Sequence, residues 1–153
     1  MAAPLILDTS GVVALYDADS MQHVAFVEAA FAPGVLRLVS AAILAEVDYM
    51  LTVRVDPAAG AKFLDALVDG FFELEHFESS DAIYAQEAYK KYPALKLGIA
   101  DCAVMALAER LHCPRILTTD RRHFSAVKPR AFAHFEIVDG AVPAAGAKSR
   151  RRR

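Results

Sequence analysis

The sequence lacks the features that mark several large classes of protein. No apolar run in its 153 residues approaches the roughly 20 residues that a membrane-spanning helix needs. The opening segment, MAAPLILDTSG, has no basic stretch and only a short apolar run, so we do not expect a secretory signal peptide. From these absences we expect a soluble, cytoplasmic protein with no membrane partner.

Cysteine is scarce, and the common glycine-rich phosphate-binding motifs are missing. Cys102 and Cys113 belong to no CxxC pair and to no cysteine–histidine spacing typical of zinc, so we interpret them as buried free thiols. Neither GxGxxG nor GxxxxGK[ST] occurs, which disfavours nucleotide-binding folds of those types.

Basic residues are few in most of the chain. Of the 17 Lys and Arg, five fall in residues 148–153, which leaves 12 basic against 19 acidic groups and a formal charge of −7. Such a body does not attract a nucleic acid by its net charge, so RNA binding would require a local basic patch or a bound metal ion. We predict one domain over residues 1–139 and a basic, disordered tail over residues 140–153.

Short apolar strands alternate with helical segments along the chain. Apolar patterns predict strands at residues 5–7, 35–39, 71–77, 115–118 and 132–138. Among the helices between them are a short one over Val12–Asp17, capped by Thr9 or Ser10, and a long one capped by Ser40 that ends near Arg54. This alternation favours an α/β fold with a central parallel sheet flanked by helices on both faces.

Two acidic residues follow short apolar strands. Asp8 comes directly after Leu5–Leu7, and Asp120 comes shortly after Ile116–Leu117. In open parallel sheets, ligands bind in a crevice outside the carboxyl ends of the strands, so both acids face that crevice if the two strands are neighbours. Taken singly, each acid is also consistent with an ordinary turn or capping residue.

Two further acids, Glu46 and Asp101, lie on helical segments among apolar neighbours. No Lys or Arg lies three or four residues from either acid. Because an ionised carboxylate buried without a partner is costly, each requires a cation, a proton or a basic residue from elsewhere in the chain. Asp101 also falls in the first turn of its helix, where the helix dipole favours an anion.

If the four acids converge, their mutual repulsion needs a counter-charge. Two carboxylates about 5 Å apart repel by roughly 3 kcal/mol at an effective dielectric constant near 20, which is large beside a typical stability of about 5–15 kcal/mol. A hard divalent cation relieves this repulsion, and an all-oxygen site suits one or two Mg²⁺ or Mn²⁺ ions. Such sites are typical of phosphate ester chemistry.

Four segments in order resemble the PIN-domain ribonucleases of the VapC toxin class: LILDTSGVVAL, AAILAEVDYML, LGIADCAVMALAERL and ILTTDRRHF. The resemblance covers residues 4–138 and implies a PIN-like α/β fold with about five parallel strands. It also implies a metal-dependent endoribonuclease that cleaves structured RNA such as tRNA or rRNA loops and inhibits translation. The implied partners are RNA, a VapB-type antitoxin whose C-terminal segment covers the acidic groove, and a second copy of the chain in a homodimer.

The resemblance assigns roles to particular residues. The catalytic and metal-binding acids correspond to Asp8, Glu46, Asp101 and Asp120, and the hydroxyl groups that orient carboxylates or water correspond to Ser10 (or Thr9) and Thr118.

Several charged residues near the predicted site have weaker assignments. Arg121 and Arg122 follow Asp120, where we predict contact with RNA phosphates. We do not assign His123 as a general acid or base, because activated water at a metal site does not require one. We interpret Asp48 as a helix-supporting or dimer-contact residue.

Three alternative classes of protein require residues or losses that differ from what this sequence contains. A haloacid-dehalogenase-type phosphatase needs a second Asp two residues after Asp8, where this chain has Ser10. A phosphate-acceptor receiver domain needs an acidic pair before Asp8, and Pro4–Leu7 carries no acid. A PIN-fold binding module without nuclease activity would be favoured by loss of one of the four acids, and none is lost.

Overall fold

A five-stranded parallel sheet forms the centre of the computed structural model, which describes residues 3–139. The spatial order is β3–β2–β1–β4–β5, and every pairing is parallel. The strands are β1 (Ala3–Leu7), β2 (Val35–Ser40), β3 (Glu73–Glu75), β4 (Arg115–Leu117) and β5 (Glu136–Val138). The predicted strand number and direction are therefore confirmed.

Helices cover both faces of this sheet. Leu5, Ile6 and Leu7 of β1 have no exposed surface, and because successive side chains point to opposite faces, both faces must be covered. None of the helices within residues 3–139 combines the length and apolar character needed to cross a bilayer. The described α-helices are α1 (Thr9–Tyr16), α2 (His23–Phe31), α3 (Leu44–Met50), α4 (Pro57–Val68), α5 (Ser79–Lys91), α6 (Ile99–Arg110) and α7 (Arg121–Ala126).

β1 and β4 lie side by side at the centre of the sheet. Ile6 pairs with Ile116 and Leu7 pairs with Leu117, so both strands end at the same level. The chain leaves β1 for β2 on one side and later returns to β4 on the other, which makes this the topological switch point of the sheet. The acids that follow these two strands are thereby brought to one crevice.

Several predicted boundaries were wrong. α1 begins at Thr9, with Asp8 as the residue before the helix, so neither Thr9 nor Ser10 acts as its cap. The Ser10 hydroxyl instead contacts Asp8 and Thr118, so it does not cap a helix that starts at Val12, contrary to the prediction.

The long helix predicted after Ser40 is divided. Ser40 does accept a hydrogen bond from the Ala42 N–H, but the segment it caps is a 3₁₀ turn (Ala41–Ile43) that precedes α3, and a π-helical turn (Leu51–Val55) follows α3.

The C-terminal third contains two further differences. The last strand is only three residues long, and α7 was not predicted, although the Asp120 carboxylate caps it by accepting from the His123 N–H. The predicted tail, residues 140–153, lies outside the described residues.

Gly11 permits the close approach of α1 to β4. A Cβ atom at this position would lie 2.2 Å from the carbonyl oxygen of Leu117, the same oxygen that accepts the Asp8 N–H. We expect Gly11→Ala to lower the free energy of unfolding by about 2–3 kcal/mol, because backbone atoms must move to relieve the overlap.

Gly60→Ala provides the matched control. Its Cβ would meet the end of the exposed Asp48 side chain at 2.9 Å, which can rotate away, so we expect stability unchanged within about 0.5 kcal/mol or raised through helix propensity. Urea unfolding followed by circular dichroism measures both. Equal effects of the two substitutions would contradict the proposed packing at Gly11.

Candidate active site

All four predicted acids line one cleft of about 330 Å³. Asp8 lies at the end of β1, Asp120 just before α7, Asp101 in the first turn of α6 and Glu46 in the first turn of α3. Thr9 and Ser10 line the same cleft. The structure therefore brings together residues that are separated by more than a hundred positions in the chain.

Asp8 is the buried acid of the cleft. Only 5 % of its surface is exposed, and its Oδ2 accepts hydrogen bonds from Thr118 Oγ1 at 2.9 Å and from Ser10 Oγ at 3.3 Å. Burial raises the pKa of Asp8 to about 6, the negative charges of Asp101 and Asp120 add to this rise, and the hydrogen bond from Thr118 opposes it. A nearby positive charge would therefore stabilise this carboxylate.

Hydroxyl groups connect the end of β1 to the loop after β4. The oxygens of Ser10 and Thr118 lie 3.1 Å apart, the Thr119 N–H donates to Ser10, and the Asp120 N–H donates to Thr118. These bonds fix the position of Asp120 relative to Asp8. The Thr9 hydroxyl is also buried and has no hydrogen-bond partner among the described residues.

Asp101 and Asp120 meet at His123, which sequence reasoning had left without a role. His123 Nδ1 lies 2.7 Å from Asp120 Oδ2 and 3.6 Å from Asp101 Oδ2. One ligand atom from each of the three residues lies within 4.8 Å of the others, and none of the three side chains is fully buried. Two helix ends hold the acids, because Gly98 N–H donates to Asp101 and His123 N–H donates to Asp120.

The tautomer of His123 bears on the fit of a cation. Its Nε2 lies 2.9 Å from the carbonyl oxygen of Leu95, which can only accept, so Nε2 carries a proton. Nδ1 then points toward two carboxylates, and its angle to Asp120 does not satisfy a hydrogen bond. This ring nitrogen and the two carboxylates could therefore serve as ligands of a metal ion. The oxygen atoms of Asp8, Asp101 and Asp120, with the unpartnered Thr9 hydroxyl in the same cleft, are the kind of donors that a hard divalent cation binds.

Glu46 does not occupy the environment predicted for it. Its side chain is exposed, and its neighbour Tyr49 is 64 % exposed as well. Of the apolar residues one helical turn away, Ile43 is buried and Tyr49 is exposed, so the apolar neighbours in the sequence do not enclose the Glu46 carboxylate. The costly burial attributed to Glu46 and Asp101 belongs instead to Asp8, which had looked like a turn residue.

The arginines after Asp120 lie at the surface near the cleft, but neither is among the described residues that line it. Arg121 forms an ion pair with Asp139, and Arg122 is exposed. Their contact with RNA stays a prediction. Asp48 is exposed beside Gly60 of α4, a position that agrees with a helix-supporting role.

Sequence reasoning missed four polar residues of the cleft: Asp17, Ser20, Arg54 and Thr119. Asp17 and Ser20 follow α1 in a loop, where no periodic pattern in the sequence indicates which way a side chain points. Arg54 lies eight residues after Glu46, a spacing that in a regular α-helix would not keep the two on one face.

Comparisons with known proteins agree with this geometry. A model of the PIN domain family matches residues 5–128. Ribonuclease VapC26 of Mycobacterium tuberculosis is 35 % identical over 134 residues, which are 88 % of this chain and 99 % of the relative.

Solved structures show the same fold at lower identity. The sarcin–ricin loop cleaving toxin VapC20 of Mycobacterium tuberculosis superposes with a TM-score of 0.73 at 17 % identity, covering 84 % of this chain and 98 % of that one. VapBC2 of Rickettsia felis, bound to a DNA fragment from its promoter, has a TM-score of 0.61 at 17 % identity, covering 81 % and 92 %. FitAcB of Neisseria gonorrhoeae has a TM-score of 0.56 at 20 % identity, covering 80 % and 91 %. The matched segment, the sheet order and the acid-lined cleft lead to one conclusion: the chain belongs to the PIN domain family and, within it, to the VapC proteins.

Proposed function

We propose that this protein is a metal-dependent endoribonuclease toxin that hydrolyses phosphodiester bonds in structured RNA and so inhibits translation. The observation that carries this proposal is the cleft in which Asp8, Glu46, Asp101 and Asp120 meet at the switch point of the sheet. The extensive identity to a VapC ribonuclease supports RNA as the substrate class. The fold neighbour that cleaves the sarcin–ricin loop makes rRNA loops, beside tRNA, the first substrates to test.

Asp8, Asp101 and Asp120 would hold one or two divalent ions, Mg²⁺ or Mn²⁺, with Glu46 completing the acidic wall. Such an ion would supply compensation for the charge on the phosphoryl group and would lower the pKa of water, so that a deprotonated and more nucleophilic oxygen is available to attack phosphorus. Thr118 and Ser10 orient Asp8 through their hydrogen bonds to Oδ2. The hydrogen bonds to Asp8, and those from the helix ends to Asp101 and Asp120, hold these three carboxylates in place. Little rearrangement is therefore needed when the substrate binds.

The cleft also suits control by a partner protein. Acidic side chains line it and Glu46 among them is exposed to solvent, so a segment of a VapB-type antitoxin that lies across it would exclude RNA. Two fold neighbours, VapBC2 and FitAcB, support a toxin–antitoxin pairing for this fold. We extend the proposal to a cytoplasmic, homodimeric toxin that such an antitoxin neutralises.

The first prediction concerns activity. Purified protein with Mg²⁺ or Mn²⁺ should cleave tRNA or a sarcin–ricin loop hairpin and should stop when EDTA is added. Asp8→Asn and Asp101→Asn should each slow cleavage by about 100-fold or more, because each removes a negative ligand while keeping the side-chain shape.

Asp48→Asn is the matched control for these substitutions. It removes a carboxylate from the neighbouring helix surface that does not line the cleft among the described residues, so cleavage should proceed at the wild-type rate. Gel electrophoresis of end-labelled RNA measures all four proteins. Wild-type rates for Asp101→Asn, or activity that persists in excess EDTA, would refute the proposed site.

The second prediction concerns stability without metal. The folded-state pKa of Asp8, about 6, lies above its ordinary value of 3.8, so folding favours the protonated carboxyl. The resulting stability is complete below about pH 4 and is lost as the pH rises through about 6. The loss amounts to about 3 kcal/mol at pH 7.5 if the whole shift is realised.

In EDTA at pH 7.5, Asp8→Asn should therefore unfold at higher urea concentration than the wild type, and the difference should shrink toward pH 4. Adding Mg²⁺ should stabilise the wild type and not the variant. A variant that is less stable than the wild type at pH 7.5 in EDTA would show that Asp8 is already held by a positive partner.

A further inference from the structure

Arg54 is the one basic residue among the described residues that line the acidic cleft. It shares this cleft with five acidic residues: Asp8, Asp17, Glu46, Asp101 and Asp120. None of the roles described above for the cleft residues involves the Arg54 guanidinium. The role assigned to it below rests on the proposed RNA-cleaving function.

The π-helical turn after α3 explains how Arg54 reaches the cleft. In a regular α-helix, residues eight apart lie about 80° apart around the axis, so Arg54 would turn away from Glu46. Leu51–Val55 forms a π turn, in which the Asp56 N–H donates to the Leu51 carbonyl at 3.1 Å. Because such a turn holds more residues, it rotates the chain less per residue and offsets this drift.

The result is a continuous stripe on one helical face. Glu46, Met50 and Arg54 all line the cleft, while Val47 and Leu51 on the adjacent side of the helix are fully buried. The buried residues anchor the helix, so the stripe is fixed relative to the acids. Arg54 lies about 12 Å along the helix from Glu46, at the end of the stripe away from the first turn.

Arg54 is also available to bind a ligand. Its side chain is exposed, and no carboxylate of the described residues lies within 4.0 Å of its guanidinium. An arginine presents a planar fork of donors that matches a phosphate group with two parallel hydrogen bonds. RNA is the ligand that supplies such groups at this cleft.

We propose that Arg54 forms a second phosphate-binding subsite, which holds an RNA phosphate beside the scissile one. The acids alone repel a polyanion, and a metal ion offsets this repulsion only at the point of cleavage. Arg54 attaches the strand further along the cleft and so sets its path past the acids. Its contact is formed in the bound state and in the transition state alike, so its loss raises KM and leaves kcat unchanged.

Binding and cleavage are measured separately to test this subsite. In an Asp101→Asn background, a fluorescein-labelled sarcin–ricin loop hairpin and a tRNA are titrated at several KCl concentrations with Mg²⁺ present. Arg54→Gln should weaken binding about 5- to 20-fold and should lower the slope of log Kd against log salt by about 0.7–0.9. The Kd of Arg54→Lys should lie between that of the parent protein and that of Arg54→Gln, since lysine keeps the charge and loses the planar fork of donors.

Lys62→Gln is the control, because Lys62 is an exposed cation of α4 that is not among the described residues of the cleft. It should leave Kd and the salt slope unchanged. With otherwise wild-type enzyme, Arg54→Gln should raise KM by a similar factor and keep kcat within about twofold. Binding is measured without cleavage, so failure of the nuclease proposal would not by itself produce failure here.

Three outcomes would overturn the subsite. The first is an Arg54→Gln variant with the Kd and salt slope of the Lys62→Gln control. The second is a loss confined to kcat, which would place Arg54 in the chemical step. The third is unchanged RNA binding with weakened binding of the antitoxin, which would assign Arg54 to the protein partner.

Discussion

The hydrogen bond from Thr118 to Asp8 joins the ends of two central strands and holds a carboxylate that is almost completely buried. Burial makes this charge costly, and the cost is tolerable only where hydroxyl groups or a cation stabilise it. The same contact places the segment after β4, and therefore Asp120, against the end of β1. The close packing of Gly11 on Leu117 keeps that junction short. The geometry of the cleft depends on this arrangement.

The features that could be predicted from the sequence are those that arise from local pattern. Short apolar runs predicted the five parallel strands. The positions of Asp8 and Asp120, each soon after such a run, predicted correctly that the two acids share one crevice. The order of four motifs predicted the family. The acids converge because β1 pairs with β4. That pairing belongs to the topology that helical crossovers favour in a parallel sheet.

Other features depend on tertiary contacts that no local pattern contains. Glu46 has apolar neighbours in the sequence, yet its own side chain is exposed, so the burial predicted for it was wrong. His123 joins the acids only because α7 forms and its ring is held by the carbonyl of Leu95. Arg54 reaches the cleft through a π turn, for which residues 51–55 give no recognisable signal.

The acids of the cleft come from four separate parts of the chain, and the last of them, Asp120, follows the penultimate strand of the sheet. During synthesis, β1 and its buried carboxylate emerge long before β4, so the centre of the sheet has no neighbour on that side until most of the chain exists. The acidic cleft of this ribonuclease therefore cannot form until both β1 and the segment after β4 have been synthesised.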